Sequence, residues 1–146
     1  LLYAVAIDVT AQKANEASLK IADTFFNMSF DILTVAKNEH FIKINPAFTK
    51  TLGYTQQEID AIKFMELTHP DDRRIADEVL AKLLRGDPIV SFEDRVLCKD
   101  GTYKWLDWHS TIDMQQGILY SVARDITEKV HLENEQQKVI NDLSEN

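Results

Sequence analysis

Asp107, His109 and Ser110 bring a carboxylate, an imidazole and a hydroxyl into one short stretch. These are the groups of a nucleophilic triad, in which the imidazole must contact the hydroxyl. The residue pattern predicts a strand over 102–112, and adjacent residues on a strand point to opposite faces. His109 is therefore expected to point away from Ser110. The chain also has no glycine-rich phosphate loop, so catalysis is not predicted for this segment.

Thiol and imidazole groups are too few and too scattered for metal or disulfide chemistry. Cys98 is the only cysteine, so no intramolecular disulfide can form. No two His or Cys residues have the spacing of metal ligands, which argues against a metal site. A lone cysteine fits a reducing compartment, and we predict a cytoplasmic location.

Composition narrows the possible partners. The 146 residues suit one domain with flanking segments, and 45% of them are hydrophobic. A net charge of −8 and a pI near 4.9 argue against a basic nucleic-acid surface. No run approaches the roughly 18–20 apolar residues that span a bilayer, so no direct membrane contact is expected from this segment. A membrane anchor elsewhere in a longer parent protein stays open.

The chain carries one internal repeat. Residues 120–127 read YSVARDIT and residues 3–10 read YAVAIDVT. A self-match of this kind suggests a tandem array, so residues 1–10 are predicted to be the last strand of a preceding repeat. Thr10 would then cap a helix over residues 11–28.

The remaining pattern predicts five strands and several helices. Residues 31–36 and 41–45 form a hairpin, followed by short helices that begin at Asn45-Pro46 and Thr55. The strongest helix covers residues 73–85, and three more strands follow at 90–98, 102–112 and 118–123. A polar helix covers 127–143. The fold class is therefore α+β, with a five-stranded antiparallel sheet in the order 2-1-5-4-3 and helices on one face.

Five short motifs in one order carry a family resemblance. They are NPAF at 45–48, LGYT at 52–55, HPDD at 69–72, KDGTYKW at 99–105 and RDIT at 124–127. The chain resembles a PAS domain with its C-terminal PAC motif. The resemblance divides the chain into a preceding repeat (1–10), a linker helix (11–28), the PAS/PAC domain (29–127) and a C-terminal signalling helix or coiled-coil linker (128–146).

The resemblance implies a cup, between sheet and helices, that can hold a small molecule. It turns Leu106, Trp108 and Ser110 toward the cup, and strand alternation adds further residues to that face. Trp108 is interpreted either as a ligand contact or as plain core. The pocket candidates are Phe48, Leu52, Ile75, Val79, Leu83, Phe92, Asp94, Val96, Leu106, Trp108, Ser110, Ser121 and Ala123.

Asp94 is unusual on this face, because a buried carboxylate is costly unless it is paired or hydrogen-bonded. It could bind a polar group together with Ser110 and Ser121. The other interpretation, which we favour here, is that a bulge or a rim position turns it outward.

No cofactor is identified by the residues. Flavin-binding LOV members of the family carry an Asn-Cys-Arg motif that this chain lacks, and residues 73–85 contain no histidine to ligate a haem. A small organic acid, a nucleotide-derived cofactor and an empty cup all remain open.

The flanking helices are the candidate docking and relay elements. Ile21 and Phe25 share a seam that packs either on the domain itself or against a second copy. Trp105, Tyr120 and Val122 are predicted on the outer face of the sheet, where they could support helix docking or dimerisation. The relay candidates, at the joint between the last strand and the last helix, are Asp125, Ile126 and Thr127.

The predicted function is a sensory and dimerisation module that relays small-molecule or redox signals. We expect a homodimer and an output domain in the same chain, with a sensor histidine kinase favoured. The alternatives are a ligand-free structural spacer or protein-interaction module, and the same module feeding a diguanylate cyclase.

Overall fold

A computed structural model describes residues 9–144 of the protein. The predicted strand of a preceding repeat lies outside the described residues, apart from its last two positions. Those two positions begin helix α1 (Val9–Met28), so Thr10 lies in the first turn and its prediction as the N-cap is wrong.

Eleven further elements follow in the described part of the chain. They are β1 (Ile32–Lys37), β2 (His40–Ile44), α2 (Pro46–Leu52), α3 (Gln56–Asp60), α4 (Phe64–Leu67), a 3₁₀ turn (Pro70–Asp72), α5 (Arg73–Leu84), β3 (Val90–Leu97), β4 (Tyr103–Asp113), β5 (Ile118–Asp125) and α6 (Thr127–Ser144).

The five strands form one antiparallel sheet in the order β2-β1-β5-β4-β3, as predicted. The central strand β5 pairs with β1 on one side and β4 on the other. Its partners on β4 continue to Leu106 opposite Asp125, so β5 runs two residues further than the sequence predicted. The strand β5 is therefore paired with β4 almost up to the start of α6.

The helix boundaries follow from local capping. The side chain of Asn45 accepts a hydrogen bond from the backbone N–H of Phe48, and Pro46 occupies the first turn of α2. Gly53 ends that helix at φ +94°, a left-handed conformation that glycine adopts without strain. Thr55 and Glu58 form the predicted capping box at the start of α3.

The core lies between the sheet and helices α2 to α5. Phe48, Leu52 and Leu106 are almost completely buried, and the ring of Phe41 meets that of Phe48 edge-on at 5.4 Å. By contrast, neither α1 nor α6 contains a buried residue among those described. The two flanking helices therefore project from a packed body.

Candidate functional site

A cavity of about 80 Å³ lies between the sheet and helices α4 and α5. Most of its wall is apolar, and the polar exceptions are one carboxylate and three hydroxyls. The lining residues are Phe41, Phe48, Phe64, Met65, Leu67, Thr68, Ala76, Val79, Leu80, Leu83, Phe92, Asp94, Val96, Trp108, Ser110, Leu119 and Ser121.

Strand register explains why the sheet contributes these side chains. Phe92 on β3 pairs with Trp108 on β4, and Ser110 on β4 pairs with Ser121 on β5. Since alternate residues of a strand share a face, this register places these four side chains on one face of the sheet, in two neighbouring rows across the strands. The rings of Phe41 and Phe92 lie on either side of Trp108, with planes within 11° of parallel and centroids 6.3–6.4 Å away.

Asp94 is inside the cavity wall, which corrects the expectation of a bulge or rim position. It pairs in regular register with Leu106 and is only 3% exposed. The indole Nε1 of Trp108 donates a hydrogen bond of 2.8 Å to its carboxylate. One oxygen of the carboxyl group therefore has a hydrogen-bond partner. The alternation of residues along β3 does not predict this bond, because its donor lies on β4.

The environment of Asp94 disfavours its charge. Burial raises the pKa of the carboxyl from 3.8 to about 7, against the opposing effect of the hydrogen bond from Trp108. The negative charge of Asp72 raises the pKa further. Asp94 therefore titrates near neutral pH.

Two hydroxyls form a second polar spot in the wall. Ser110 and Ser121 share a hydrogen bond of 2.7 Å between their Oγ atoms. Thr34 lies opposite Ser121 on β1, and its buried Oγ1 is the one side-chain polar atom of residues 9–144 that is buried without a hydrogen-bond partner. The three strands thus place hydroxyls side by side across the sheet.

Four predicted pocket residues do not line the cavity. Leu52, Leu106 and Ala123 are fully buried in the core but lie outside the wall. Ile75 is 44% exposed, and its prediction as a wall residue is wrong. Each step of four residues rotates the side chain about 40° around a helix, so Ile75 lies about 80° away from Leu83.

Of the eight wall residues on helices α2, α4 and α5, the sequence prediction included three, Phe48, Val79 and Leu83. The sequence pattern predicts no site role for the short helix α4 or for Phe41 on β2. The spacing of Ala76, Val79, Leu80 and Leu83 is the usual one for the buried face of a helix. The lining residues outside the predicted pocket set are Phe41, Phe64, Met65, Leu67, Thr68, Ala76, Leu80 and Leu119.

An ion pair between the buried Asp72 and the half-buried Arg95 joins the start of α5 to β3. Arg95 donates to the carboxylate of Asp72 through its backbone N–H, its Nε and an Nη atom, at 2.8–2.9 Å. Hydrogen bonds from the Arg95 side chain are the main reason that the pKa of Asp72 is lowered. The guanidinium of Arg95 also lies over the ring of Trp105, 4.9 Å from its centroid.

The residues between β5 and α6 are hydrogen-bonded to the backbone of Trp105 on β4. Ile126 N–H donates to the carbonyl of Trp105 at 2.9 Å, and Trp105 N–H donates to Thr127 Oγ1 at 3.0 Å. Asp125 Oδ1 accepts from both the N–H and the hydroxyl of Thr127. Thr127 therefore joins the start of α6 to β4, and Asp125 holds Thr127 through its backbone amide and its hydroxyl.

The outer face of the sheet is more exposed than the cup face. Tyr120 and Val122 are 43% and 40% exposed. His109 also lies on this face, where its Nδ1 is 2.7 Å from Ser91 Oγ, and its Nε2 is 3.7 Å from a carboxylate oxygen of Asp107. His109 does not reach Ser110, whose hydroxyl lies in the cavity wall.

Two general features of the described residues bear on the class of protein. None of the helices within residues 9–144 is long and apolar enough to cross a membrane. In the same range, His, Cys, Asp and Glu do not gather into a group of three that could hold a metal ion. The fold and cavity define an α+β module with a small cup and a projecting helix at each end.

Comparison with known proteins identifies the family. Residues 41–123, more than half of the chain, match the family model described as the PAS fold. The chain belongs to the PAS family. A domain of a sensory box sensor histidine kinase/response regulator from Geobacter sulfurreducens has a similar crystal structure, with a TM-score of 0.66, 23% identity, and 76% of this chain and 96% of that one covered.

Two curated relatives are kinases. Sensor histidine kinase TmoS of Ectopseudomonas mendocina is 30% identical over 141 residues, which cover 92% of this chain and 14% of that protein. Sporulation kinase E of Bacillus subtilis (strain 168) is 25% identical over 136 residues, covering 90% of this chain and 18% of the kinase. The chain thus spans less than a fifth of either kinase, and its relatives support a sensory module in signalling.

Proposed function

We propose that this chain binds a small molecule in its cup and relays that event through α6 to an output domain in the same chain. The observation that carries the proposal is a single buried carboxylate, Asp94, in the wall of a mostly apolar cavity. A few convergent polar groups in an apolar pocket are typical of ligand sites.

A continuous set of contacts supports the relay. Helix α5 contributes Val79 and Leu83 to the cup, and Asp72 at its start is bonded to Arg95. Arg95 lies over Trp105, whose backbone holds the start of α6. A ligand that moves α5 would therefore alter the support of α6.

The identity of the output domain is inferred from the relatives. Both curated relatives are kinases and are much longer than this chain. We therefore favour a sensor histidine kinase over a diguanylate cyclase as the parent protein. The cytoplasmic location remains a prediction from the lone cysteine.

We also propose that the module acts as a homodimer. Ile21 and Phe25 on α1 are 58% and 65% exposed, and Tyr120 and Val122 on the sheet are more than one-third exposed. An apolar groove on the outer face of the sheet is lined by Phe26, Tyr120 and Val122 among other residues. Exposed apolar surface at the base of a projecting helix favours pairing with a second copy.

One observation favours the ligand-free spacer as a second candidate. The cavity of about 80 Å³ is smaller than the roughly 300–1,000 Å³ of pockets for drug-sized ligands. A cup that small either takes a ligand of few atoms or serves as an imperfectly filled core.

Two measurements distinguish the candidates. Native mass spectrometry of the chain purified from cells should show a dimer with a small bound mass. In the full-length parent, Ala76→Leu should fill the cup and change the autophosphorylation response. Ala81→Leu is the matched control, because Ala81 is an exposed residue of the same helix. An unliganded chain, together with a parent that responds normally when Ala76 is replaced, would establish the spacer.

A further inference from the structure

Among the residues that the structure describes, Asp94 is the only ionisable side chain in the wall of the cup. It is 3% exposed, and the other polar side chains of the wall are the hydroxyls of Thr68, Ser110 and Ser121, with the indole of Trp108 bonded to Asp94 itself. The wall contains no Lys, Arg or His. The charge that a ligand would meet is therefore a single carboxylate.

The surrounding elements do not supply a cation to that carboxylate. Helix α5 contributes only apolar side chains to the wall, and β5 contributes a serine hydroxyl and Leu119. Among the described residues, the charge that shifts the pKa of Asp94 is that of Asp72, which is also negative. Arg95 follows Asp94 in sequence, but its guanidinium is bonded to Asp72 and lies over Trp105.

Resting on the proposed sensory function, we infer that the cup recognises a small protonated amine, with the ammonium against Asp94 and the hydrocarbon against Val79, Leu83 and Phe92. A buried carboxylate is stable in its charged form only when it is paired. A ligand ammonium completes the pair that the chain leaves open. The free carboxyl has a pKa raised by burial to about 7, which reflects the cost of that charge without a partner.

The same arrangement disfavours an organic acid, one of the ligands left open by the sequence. A second carboxylate in this cavity would be repelled by Asp94 and would meet no basic side chain from the wall. The serine pair offers further acceptor oxygens, since each hydroxyl has two lone pairs. Each of the two polar spots of the cup therefore has an oxygen atom with a lone pair for a hydrogen bond from an ammonium.

Cavity volume limits the size of the ligand. A volume of about 80 Å³ compares with roughly 10–15 Å³ for one water molecule by the same kind of measure. The ligand therefore has only a few non-hydrogen atoms. Butylamine, butanol and butyrate are suitable probes, because they share a four-carbon chain and differ in the charge of the head group.

The experiment is an NMR titration of the full chain with each probe at pH 8. At this pH Asp94 is mostly ionised, and an alkyl amine is protonated, as lysine is. Butylammonium should shift the indole N–H signal of Trp108 and the methyl signals of Val79 and Leu83 in a saturable way. Butanol should bind at least tenfold more weakly, and butyrate should leave these signals unchanged.

Variants test the role of the carboxylate. Asp94→Asn keeps an oxygen to accept the Trp108 N–H, so the cup is expected to stay folded, and butylammonium binding should fall at least tenfold. Glu93→Gln removes an exposed carboxylate from the adjacent position on β3 and should leave binding unchanged. Butanol binding should be retained in both variants.

Each contrary outcome bears on a separate proposal. Equal binding of butylammonium by the wild type and Asp94→Asn would overturn the amine inference. Tighter binding of butanol or butyrate in the cup would also overturn the ligand class, yet would uphold a sensory cup. If no probe binds in the cup, only the amine inference is overturned. Native mass spectrometry and the response of the Ala76→Leu variant test the sensory function separately, because neither depends on the charge of the ligand.

Discussion

The carboxylate of Asp94 accepts a hydrogen bond of 2.8 Å from the indole Nε1 of Trp108 inside the cavity. Asp94 pairs with Leu106 across the strands, while Phe92 pairs with Trp108. The bond therefore runs diagonally from β3 to β4. It lets a carboxyl group occupy a mostly apolar wall, and burial leaves the group with a pKa of about 7.

The first prediction concerns the pH dependence of stability. The pKa of Asp94 is higher in the folded chain, at about 7, than the ordinary value of 3.8, so the folded state holds the proton more tightly. Stability should fall as pH rises between about 4 and 7. Between pH 5 and pH 8, the wild type should lose about 2–3 kcal/mol of unfolding free energy relative to Asp94→Asn.

Urea unfolding of both proteins at several pH values measures this difference. Glu93→Gln serves as the control, because its side chain is exposed beside Asp94, and its curve should run parallel to that of the wild type. A constant difference between the wild type and Asp94→Asn across the range would contradict the prediction.

The second prediction concerns the ion pair at the start of α5. Asp72→Asn removes a charged acceptor of three hydrogen bonds from Arg95, and should cost about 2–3 kcal/mol of stability. The carboxylate of the neighbouring Asp71 is 4.0 Å from Arg95, and its side chain is 77% exposed. Asp71→Asn should therefore cost less than about 0.5 kcal/mol.

Thermal and urea unfolding of the two variants at pH 7 provide the comparison. Similar losses from both would mean that the general negative charge of this turn, and not the bonded geometry of Asp72, stabilises α5. Because the pKa of Asp72 is lowered in the folded state, its contribution is present above the ordinary pKa of an aspartate. It should be lost as pH falls below that value.

Much of the fold could be predicted because its signals are local. The starts of α2 and α3 depend on Asn45, Thr55 and Glu58, whose capping bonds span three residues or fewer. The end of β5 depends instead on its partners. Leu106 and Asp107 on β4 pair with Asp125 and Arg124, and a pairing of that kind cannot be determined from one strand alone.

The candidate site was less predictable, for a physical reason. The family resemblance indicated the cup face for Trp108, and strand alternation added Phe92 to it, but the burial of Asp94 depends on an indole donor from another strand. Ile75 shows the corresponding difficulty on a helix. A row of residues four apart slants around the helix axis, so Ile75 is exposed although Val79 and Leu83 are buried.

The third prediction concerns the joint between β5 and α6. Asp125→Ala removes the two hydrogen bonds that the carboxylate accepts from Thr127. The first turn of α6 should then exchange its amide hydrogens faster, while overall stability falls by about 1 kcal/mol. In the full-length parent, output should become uncoupled from the ligand although the affinity of the cup is nearly unchanged.

Hydrogen exchange, ligand titration and autophosphorylation together test this separation of roles. Glu128→Ala is the control, since Glu128 is an exposed residue in the same turn of α6. If Asp125→Ala weakened ligand binding as much as output, the residue would only hold the fold together.

The fourth prediction concerns the two seams of α6. Leu132, Gln136 and Val139 belong to one seam, and Gln137 and Ile140 to the other. Leu132, Val139 and Ile140 are all more than half exposed, so α6 has apolar positions available to a second copy. Neither seam is apolar throughout, and a two-stranded coil built on them would have competing registers of similar energy.

Gln136→Leu completes the first seam, whereas Gln137→Leu completes the second. Each variant should tighten the dimer in analytical ultracentrifugation, because it buries one more apolar side chain. In the full-length parent, however, the two should change kinase output in opposite directions, since each holds a different register. Asn134→Leu adds the same side chain outside both seams and should alter neither property. Output changes of the same sign from Gln136→Leu and Gln137→Leu would show that dimer strength, and not register, controls the signal.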